Sequence, residues 1–344
     1  MLNPATESVY RETTPAFYNY LYKGTLMTET RLETANREKN WAALTSVVAA
    51  VGLTTFKIIV GVATGSLGIL AEAAHSGLDL VAALVTYLAV RISDKPADTE
   101  HTYGHGKVEN LSALFETFLL LVTCIWIIYE AINRLFFKQV QVDANVWSFV
   151  VMVTSIIIDY SRSKILYRAA VKYKSQALEA DALHFSTDIW SSSVVILGLI
   201  GLTISRFIPG LEWMHKADSI AALIVAIIVI YISGELGIRT ISGLLDTAPM
   251  GLAGKVEEVS ASVTGVVDAH AIRIRPSGAN TFIDMHITMD GNCTLNEAHT
   301  ATEVIEKAIH AIISPADITV HVEPAQVGAS PDRKKPKRSR EMRN

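Results

Sequence analysis

Six long apolar runs, at about 42–65, 68–92, 111–136, 145–167, 183–205 and 218–242, limit what this chain can fold into more than any other feature. About 20 consecutive apolar residues cross a hydrocarbon layer as a helix. Within that layer the backbone must satisfy its own hydrogen bonds, so a helix is the form such a run can take. Half of the residues are hydrophobic and only 19% are charged, which fits a chain that spends most of its length in lipid. The fold class expected is an α-helical membrane protein with six transmembrane helices. The fourth run is the weakest, because Asp159 and Arg162 fall near its end.

Loop charges orient the helices. Arg162, Lys164, Arg168, Lys172 and Lys174 follow the fourth run. Arg91, Lys95 and Lys107 lie between the second and third, and Arg31, Arg37 and Lys39 precede the first. On the other side the loop from Ala63 to Ser66 has no charge, and the remaining loops there carry Lys138, Arg206 and Lys216. The basic excess places both termini in the cytoplasm. Residues 1–40 are polar and tyrosine-dotted and lack the compact apolar run of a cleavable signal, so they read as a cytoplasmic extension.

Composition changes at about 245. Residues 251–263 read as a short helix, and 266–275 and 281–289 as strands around a turn at Pro276 to Asn280. Residues 295–313 read as a helix and 317–323 as a final strand. Ile283, Met285, Ile287 and Met289 share one strand face, with His286 opposite; His321 and Glu323 likewise share a face. The domains expected are therefore a 1–40 extension, a 41–243 membrane domain, a 244–326 cytoplasmic α+β domain and a basic 327–344 tail. The tail reads as disordered and drawn to anionic lipid; nucleic acid is not an expected partner.

The chemistry is concentrated in histidines. His75-x-x-x-Asp79 and His184-x-x-x-Asp188 repeat one spacing inside two apolar runs. Residues four apart share a helix face, so each pair aims an imidazole and a carboxylate in one direction at membrane depth. Ionisable groups there are expensive and usually functional. Two such pairs can meet as two nitrogens and two oxygens around one ion, a tetrahedral set suited to zinc or a neighbouring transition metal. The alternative is a pair of unrelated polar contacts between helices; the repetition argues for the metal. Asp98, His101 and His105 place three potential ligands in the link between the second and third runs, with Gly104 and Gly106 to let the loop turn. An ordinary polar loop is the alternative there. His270, His286, His299 and His321 fall in the α+β domain, where surface histidines on a sheet are the alternative. Eight of the ten histidines thus fall at three places; only His215 and His310 stand outside them. Cys124 and Cys293 form no metal or disulfide motif. No Gly-Lys-Ser/Thr phosphate loop is present, so ATP drive is unsupported and no enzyme activity is expected.

These stretches resemble the cation diffusion facilitator family of divalent-metal transporters, in its bacterial zinc and ferrous-iron efflux branch. The matching segments are Ser66 to Ala71 running into His75 and Asp79, Pro96 to Lys107, His184 with Asp188, and the series His270, His286, His321 and Glu323. The likeness covers about 40–325. It implies a homodimer with a metallochaperone-like cytoplasmic domain, in a bacterial inner membrane. It implies a transport site of His75, Asp79, His184 and Asp188, and a loop site of Asp98, His101 and His105. It also implies a dimer-joining cytoplasmic site of His270, His286, His321 and Glu323 with His299 nearby, and a charge pair of Lys107 with Asp246. The activity implied is export of a divalent metal, Zn2+ above all, in exchange for protons by alternating access; Fe2+, Mn2+, Cd2+ or Co2+ are the alternatives. His75 stands where the bacterial relatives often have Asp, which makes the set softer and favours zinc. Glu323 stands where Asp is common, and Ala271 follows His270 where an acid can occur, leaving open whether that site holds two ions. A membrane-anchored metal sensor or scaffold is the rival of a different class.

Overall fold

Residues 4–136, 146–205 and 214–325 are described in a computed structural model of the protein. The chain divides into two compact units, one ending at Leu244 and one beginning at Leu245. The basic stretch 327–344 lies outside the described residues, as do Lys138, Arg206 and the side chain of Lys216.

The first unit is built from six long helices, α1 Pro4–Thr64, α2 Leu67–Ser93, α3 Lys107–Phe136, α4 Val146–Tyr173, α5 Gln176–Ser205 and α6 Met214–Leu244. The extension expected before residue 41 is helical from Pro4 and continuous with the first span. α1 ends at Gly65, whose left-handed φ of 65° costs glycine nothing. Ser66 then caps α2, its hydroxyl accepting from the Ile69 N–H at 3.4 Å. α1 and α2 approach so closely that a Cβ at Gly61 would lie 2.8 Å from Leu70 Cδ2. α1 packs on α2 and α4, α3 on α6 and α5, and α5 also on α4 and α6.

Four helical stretches among the described residues are long and apolar enough to cross a membrane: Glu33–Thr64, Leu67–Ser93, Lys107–Asn133 and Ile220–Leu244. α4 carries Asp159 and Arg162 and α5 carries Asp181 and His184, and the structure shows where these go. Asp159, Arg162, Asp181 and His184 are all buried inside the bundle. Large apolar side chains such as Ile59, Leu78, Phe118, Ile125 and Ile228 are exposed instead. Small residues, among them Ala43, Ala82, Ala83, Ala113 and Ala180, are fully buried where the helices meet. A bundle with small and polar residues inside and large apolar ones outside is arranged for lipid rather than water.

The second unit comprises α7 Leu252–Ala261, β1 Val266–Ser277, β2 Asn280–Met289, α8 Leu295–Ile312 and β3 Ala316–Pro324. β1 and β2 form an antiparallel hairpin, and β3 joins β2 in parallel after the α8 crossover. The hairpin turn is tighter than the expected Pro276–Asn280: Pro276 pairs with Thr281 and Ser277 with Asn280, leaving Gly278 and Ala279 to reverse the chain. Gly278, at φ 59°, makes that possible. α8 starts with a capping box between Thr294 and Glu297. Ile305 and Ile309 of α8 and Val256 of α7 pack onto Ile283, Met285 and Ile287. The helices therefore cover one face of the sheet, and the histidine face is left open.

Candidate metal centres

The membrane centre is built where α2 meets α5. His75 and Asp79 lie one turn apart on α2, and His184 and Asp188 one turn apart on α5. His184 Nε2 is 3.1 Å from Asp79 Oδ1 and 3.6 Å from Asp188 Oδ2. His75 Nε2 is 3.9 Å from both Asp79 Oδ1 and Asp188 Oδ1. Four donors at tetrahedral corners with bonds of about 2.0 Å stand about 3.3 Å apart; the imidazole–carboxylate separations bracket that edge, and His75, Asp79 and Asp188 can converge on one ion as they stand. His184 and Asp79 are buried, whereas the His75 side chain is 41% exposed and forms the rim. A cavity of about 380 Å³ opens onto His75, Asp79 and Asp188, and its wall also carries Lys57, Glu72, Glu130 and Asp159. A larger furrow of about 730 Å³ runs over Val85, Leu88, Phe115 and Phe118; its lining has no ionisable group, and it belongs to the apolar outer surface.

Around these four residues stands a largely buried polar shell that sequence reading missed. The Lys57 ammonium donates to Ser76 Oγ at 2.7 Å and lies 3.3 Å from Glu72. Arg162 pairs with Asp159 at 3.2 Å, donates to Ser46 Oγ at 3.1 Å and stacks 3.5 Å from the Phe185 ring centre. Ser46 in turn donates to Asp181 at 3.2 Å. Glu116 accepts from Thr86 at 3.1 Å. Each is a single polar residue in an apolar run. An ionisable residue that interrupts such a run was the only available signal.

The loop centre forms before α3. Asp98 Oδ1 lies 3.4 Å from His101 Nδ1, and Asp98 Oδ2 lies 3.4 Å from His105 Nε2. The two imidazole centres are 4.3 Å apart. Asp98 Oδ1 also accepts the backbone N–H groups of His101 and Glu100, at 2.6 and 2.9 Å. These bonds, His101's first, hold its carboxyl below the usual carboxylate range. Gly104 makes the turn at φ 75°. Gly106 instead begins the first turn of α3, accepting from the Glu109 N–H.

The sheet centre depends on strand register. His270, His286 and His321 sit directly opposite one another on β1, β2 and β3. A bulge after His270, with Ala271 at φ 52°, shifts the following register. Glu323 draws the cluster together: Oε1 is 2.8 Å from His286 Nδ1 and 3.9 Å from His321 Nε2, and Oε2 is 3.4 Å from His270 Nε2. The hydrogen bond with His286, aided by His270 and His321, keeps the Glu323 carboxyl low. His270, His286 and Glu323 can converge on one ion. Asp268, two residues before His270 and so on the same strand face, adds a contact of 3.2 Å to His270 Nδ1; the Asp-x-His spacing was the missed signal. His299 is not part of this cluster, contrary to expectation. It lies on α8, which packs on the opposite, apolar face of the sheet, and its Nε2 is 3.6 Å from Glu303 one turn on. The Lys107 ammonium donates to the Leu244 carbonyl at 3.3 Å. Asp246, two residues further, is exposed with a left-handed φ of 58°.

The family model of the cation efflux transmembrane domain matches residues 43–245, and that of the cation efflux protein cytoplasmic domain matches 251–325. The cation-efflux pump FieF of Salmonella arizonae is 32% identical over 302 residues, covering 86% of this chain and 96% of the relative. FieF of Salmonella schwarzengrund matches with the same identity and coverage. Among solved structures, the MamM CTD in its nickel form matches 23% of this chain and all of that chain, at 23% identity and a TM-score of 0.22. A zinc form of CzrB matches 23% of this chain and 90% of its own, at 21% identity and a TM-score of 0.21. With two family domains in order over most of its length, and cation-efflux pumps as end-to-end relatives, the chain belongs to the cation diffusion facilitator family of divalent-metal transporters.

Proposed function

We propose that this chain exports zinc in exchange for protons, as a homodimer with six spans per protomer, through a transport site of His75, Asp79, His184 and Asp188. The observation that carries this reading is the cluster of His75, Asp79 and Asp188 beside a cavity, with His184 Nε2 within 3.6 Å of both carboxylates. A donor set of two nitrogens and two oxygens suits zinc better than manganese or iron, which favour more oxygen donors and higher coordination. Alternating access is supported by the one-sided cavity. Its lining comes from the halves of the helices nearest the α1–α2 turn. At the opposite ends Lys39 bridges Asp94 and Glu109, Arg239 pairs with Glu179 at 2.7 Å, and Asn110 donates to Gln176 at 2.9 Å. With both termini cytoplasmic, as the loop charges favour, this is an outward-open state closed at the cytoplasmic ends. Purified protein in liposomes, given a panel of divalent metals, is expected to carry Zn2+ fastest. Equal or greater flux of Mn2+ or Fe2+ would remove the zinc assignment and leave the iron, manganese, cadmium or cobalt alternative.

The same reading makes Asp98, His101 and His105 a second metal site, and His270, His286, His321 and Glu323 a regulatory zinc site that joins the protomers. It includes the charge pair of Lys107 with Asp246. Metal held by one state stabilises that state, so zinc is expected to tighten the dimer of the full chain. His286→Ala, which removes the imidazole bonded to Glu323, should abolish that tightening. A dimer affinity that ignores zinc in the unmodified protein, measured by analytical ultracentrifugation in detergent, would sink the regulatory role.

A further inference from the structure

Glu116 of α3 is fully buried, and the transport ligands do not include it. Its Oε1 accepts from Thr86 Oγ1 at 3.1 Å. Its Oε2 is buried with no hydrogen-bond partner among the described residues, and so is His184 Nδ1. These two unpartnered atoms stand 3.8 Å apart. Nearby Asp181 accepts from Ser46 through Oδ2, and its Oδ1 is also buried without a partner among the described residues, but it is Glu116 Oε2 that lies within 4 Å of His184 Nδ1. An unpaired carboxylate in a dry interior is costly, so its placement calls for a reason.

Imidazole chemistry supplies one. A neutral histidine has one N–H and one lone pair. His184 Nε2 points between Asp79 and Asp188, where the cargo sits. A cation bound there takes the Nε2 lone pair, which leaves the proton on Nδ1. That N–H is buried and then needs an acceptor. Closing 3.8 Å to an ordinary bond of about 2.8 Å needs about 1 Å of side-chain movement. We infer that Glu116 is a positioning residue for metal transport: its Oε2 accepts the Nδ1–H of His184 when a divalent cation occupies Nε2, fixing the tautomer and ring that bind the cargo. Thr86 holds the other carboxylate oxygen and so aims this one. The inference rests on His184 being a transport ligand.

Outer-shell carboxylates on metal-binding histidines are typically worth about 10–100-fold in affinity. Glu116→Ala should therefore raise the zinc KM of flux in proteoliposomes by about that factor. The thermal midpoint should stay level or rise, because an unpaired buried carboxylate is gone. Glu116→Gln keeps an acceptor oxygen, so its KM should stay within about threefold of the unmodified protein. His184→Asp keeps a ligand but has no Nδ1–H; in that background Glu116→Ala should leave KM unchanged. A wild-type KM for Glu116→Ala overturns the inference, as does an equal loss with and without the imidazole. If His184→Asp carries no flux, Glu116→Gln decides: a loss as large as alanine's overturns it. His184→Ala separates the two readings. If that variant loses flux while Glu116→Ala behaves as unmodified protein, only the role of Glu116 falls. If it transports normally, the transport site itself is wrong and this inference falls with it.

Discussion

Replacing His184 or Asp188 with alanine is expected to lower zinc flux to that of protein-free liposomes, a loss of about a hundredfold or more on the scale of first-ligand removal. Asp188 is the stronger test. It lies within 4 Å of both imidazoles, at 3.6 Å from His184 and 3.9 Å from His75, so its loss removes a ligand and also the charge that balances the ion. His184 is the most enclosed nitrogen donor and touches both carboxylates. Without it only the half-exposed His75 is left to give Asp79 and Asp188 a nitrogen partner, and a hydrated ion is not fully stripped of its water. His75, at the half-exposed rim with contacts of 3.9 Å, should cost less when truncated, because a water can enter from the cavity in its place. The fold should survive all three changes. The bundle is held by helix contacts through small residues such as Ala82, Ala83 and Ala180, and the ligands' polar contacts run mainly to one another. Monodisperse protein with normal helicity and no flux is the expected pattern. Undiminished flux in either the His184 or the Asp188 variant would sink the four-ligand site.

The membrane cluster was legible because helical spacing is local. Four residues bring His75 over Asp79 and His184 over Asp188 whatever the tertiary fold, and the repeat of the pattern marks both. The loop cluster was legible for the same reason, since Asp98, His101 and His105 lie within eight residues. The sheet cluster was only half legible. Alternation assigned His286, His321 and Glu323 to faces, but their alignment with His270 depends on the pairing of three strands and on one bulge at Ala271. His299 was misplaced because its helix face is decided by packing. Ala298, Ala301, Ile305 and Ile309 turn α8 toward the apolar side of the sheet and carry His299 away from the other histidines. Glu116, Asp159, Arg162 and Asp181 were not legible as a group, since the shell comes from different helices and has no spacing of its own. The six apolar runs fall within α1 to α6; in α4 the pair Asp159 and Arg162 breaks the run, and both side chains are buried in the bundle.

A pH gradient, acid on the face opposite the cytoplasmic domain, is expected to drive zinc export against its own concentration gradient. Zinc can sit on His75 and His184 only when both Nε2 atoms are unprotonated, so metal binding releases protons and protons release metal. A ring that takes up a proton at Nε2 loses the lone pair that zinc needs, so the fraction of sites able to hold zinc falls as pH falls. The sign follows directly. Zinc affinity is full above the imidazole range and is lost as pH falls through it, so a site opening to the acid side exchanges its zinc for protons. The open cavity at His75 gives those protons access to the site. The return step carries them inward, where higher pH removes them and zinc binds again. Changing both His75 and His184 to Asp replaces imidazoles by more acidic carboxyl groups and should move this dependence to lower pH, so flux in that variant should respond less to a change from pH 7.5 to 6. The measurement is zinc flux in proteoliposomes with pH set separately on the two faces. Flux that follows the zinc gradient alone and ignores the proton gradient would make the protein a facilitator, and proton exchange would have to be abandoned while the four-ligand site stood.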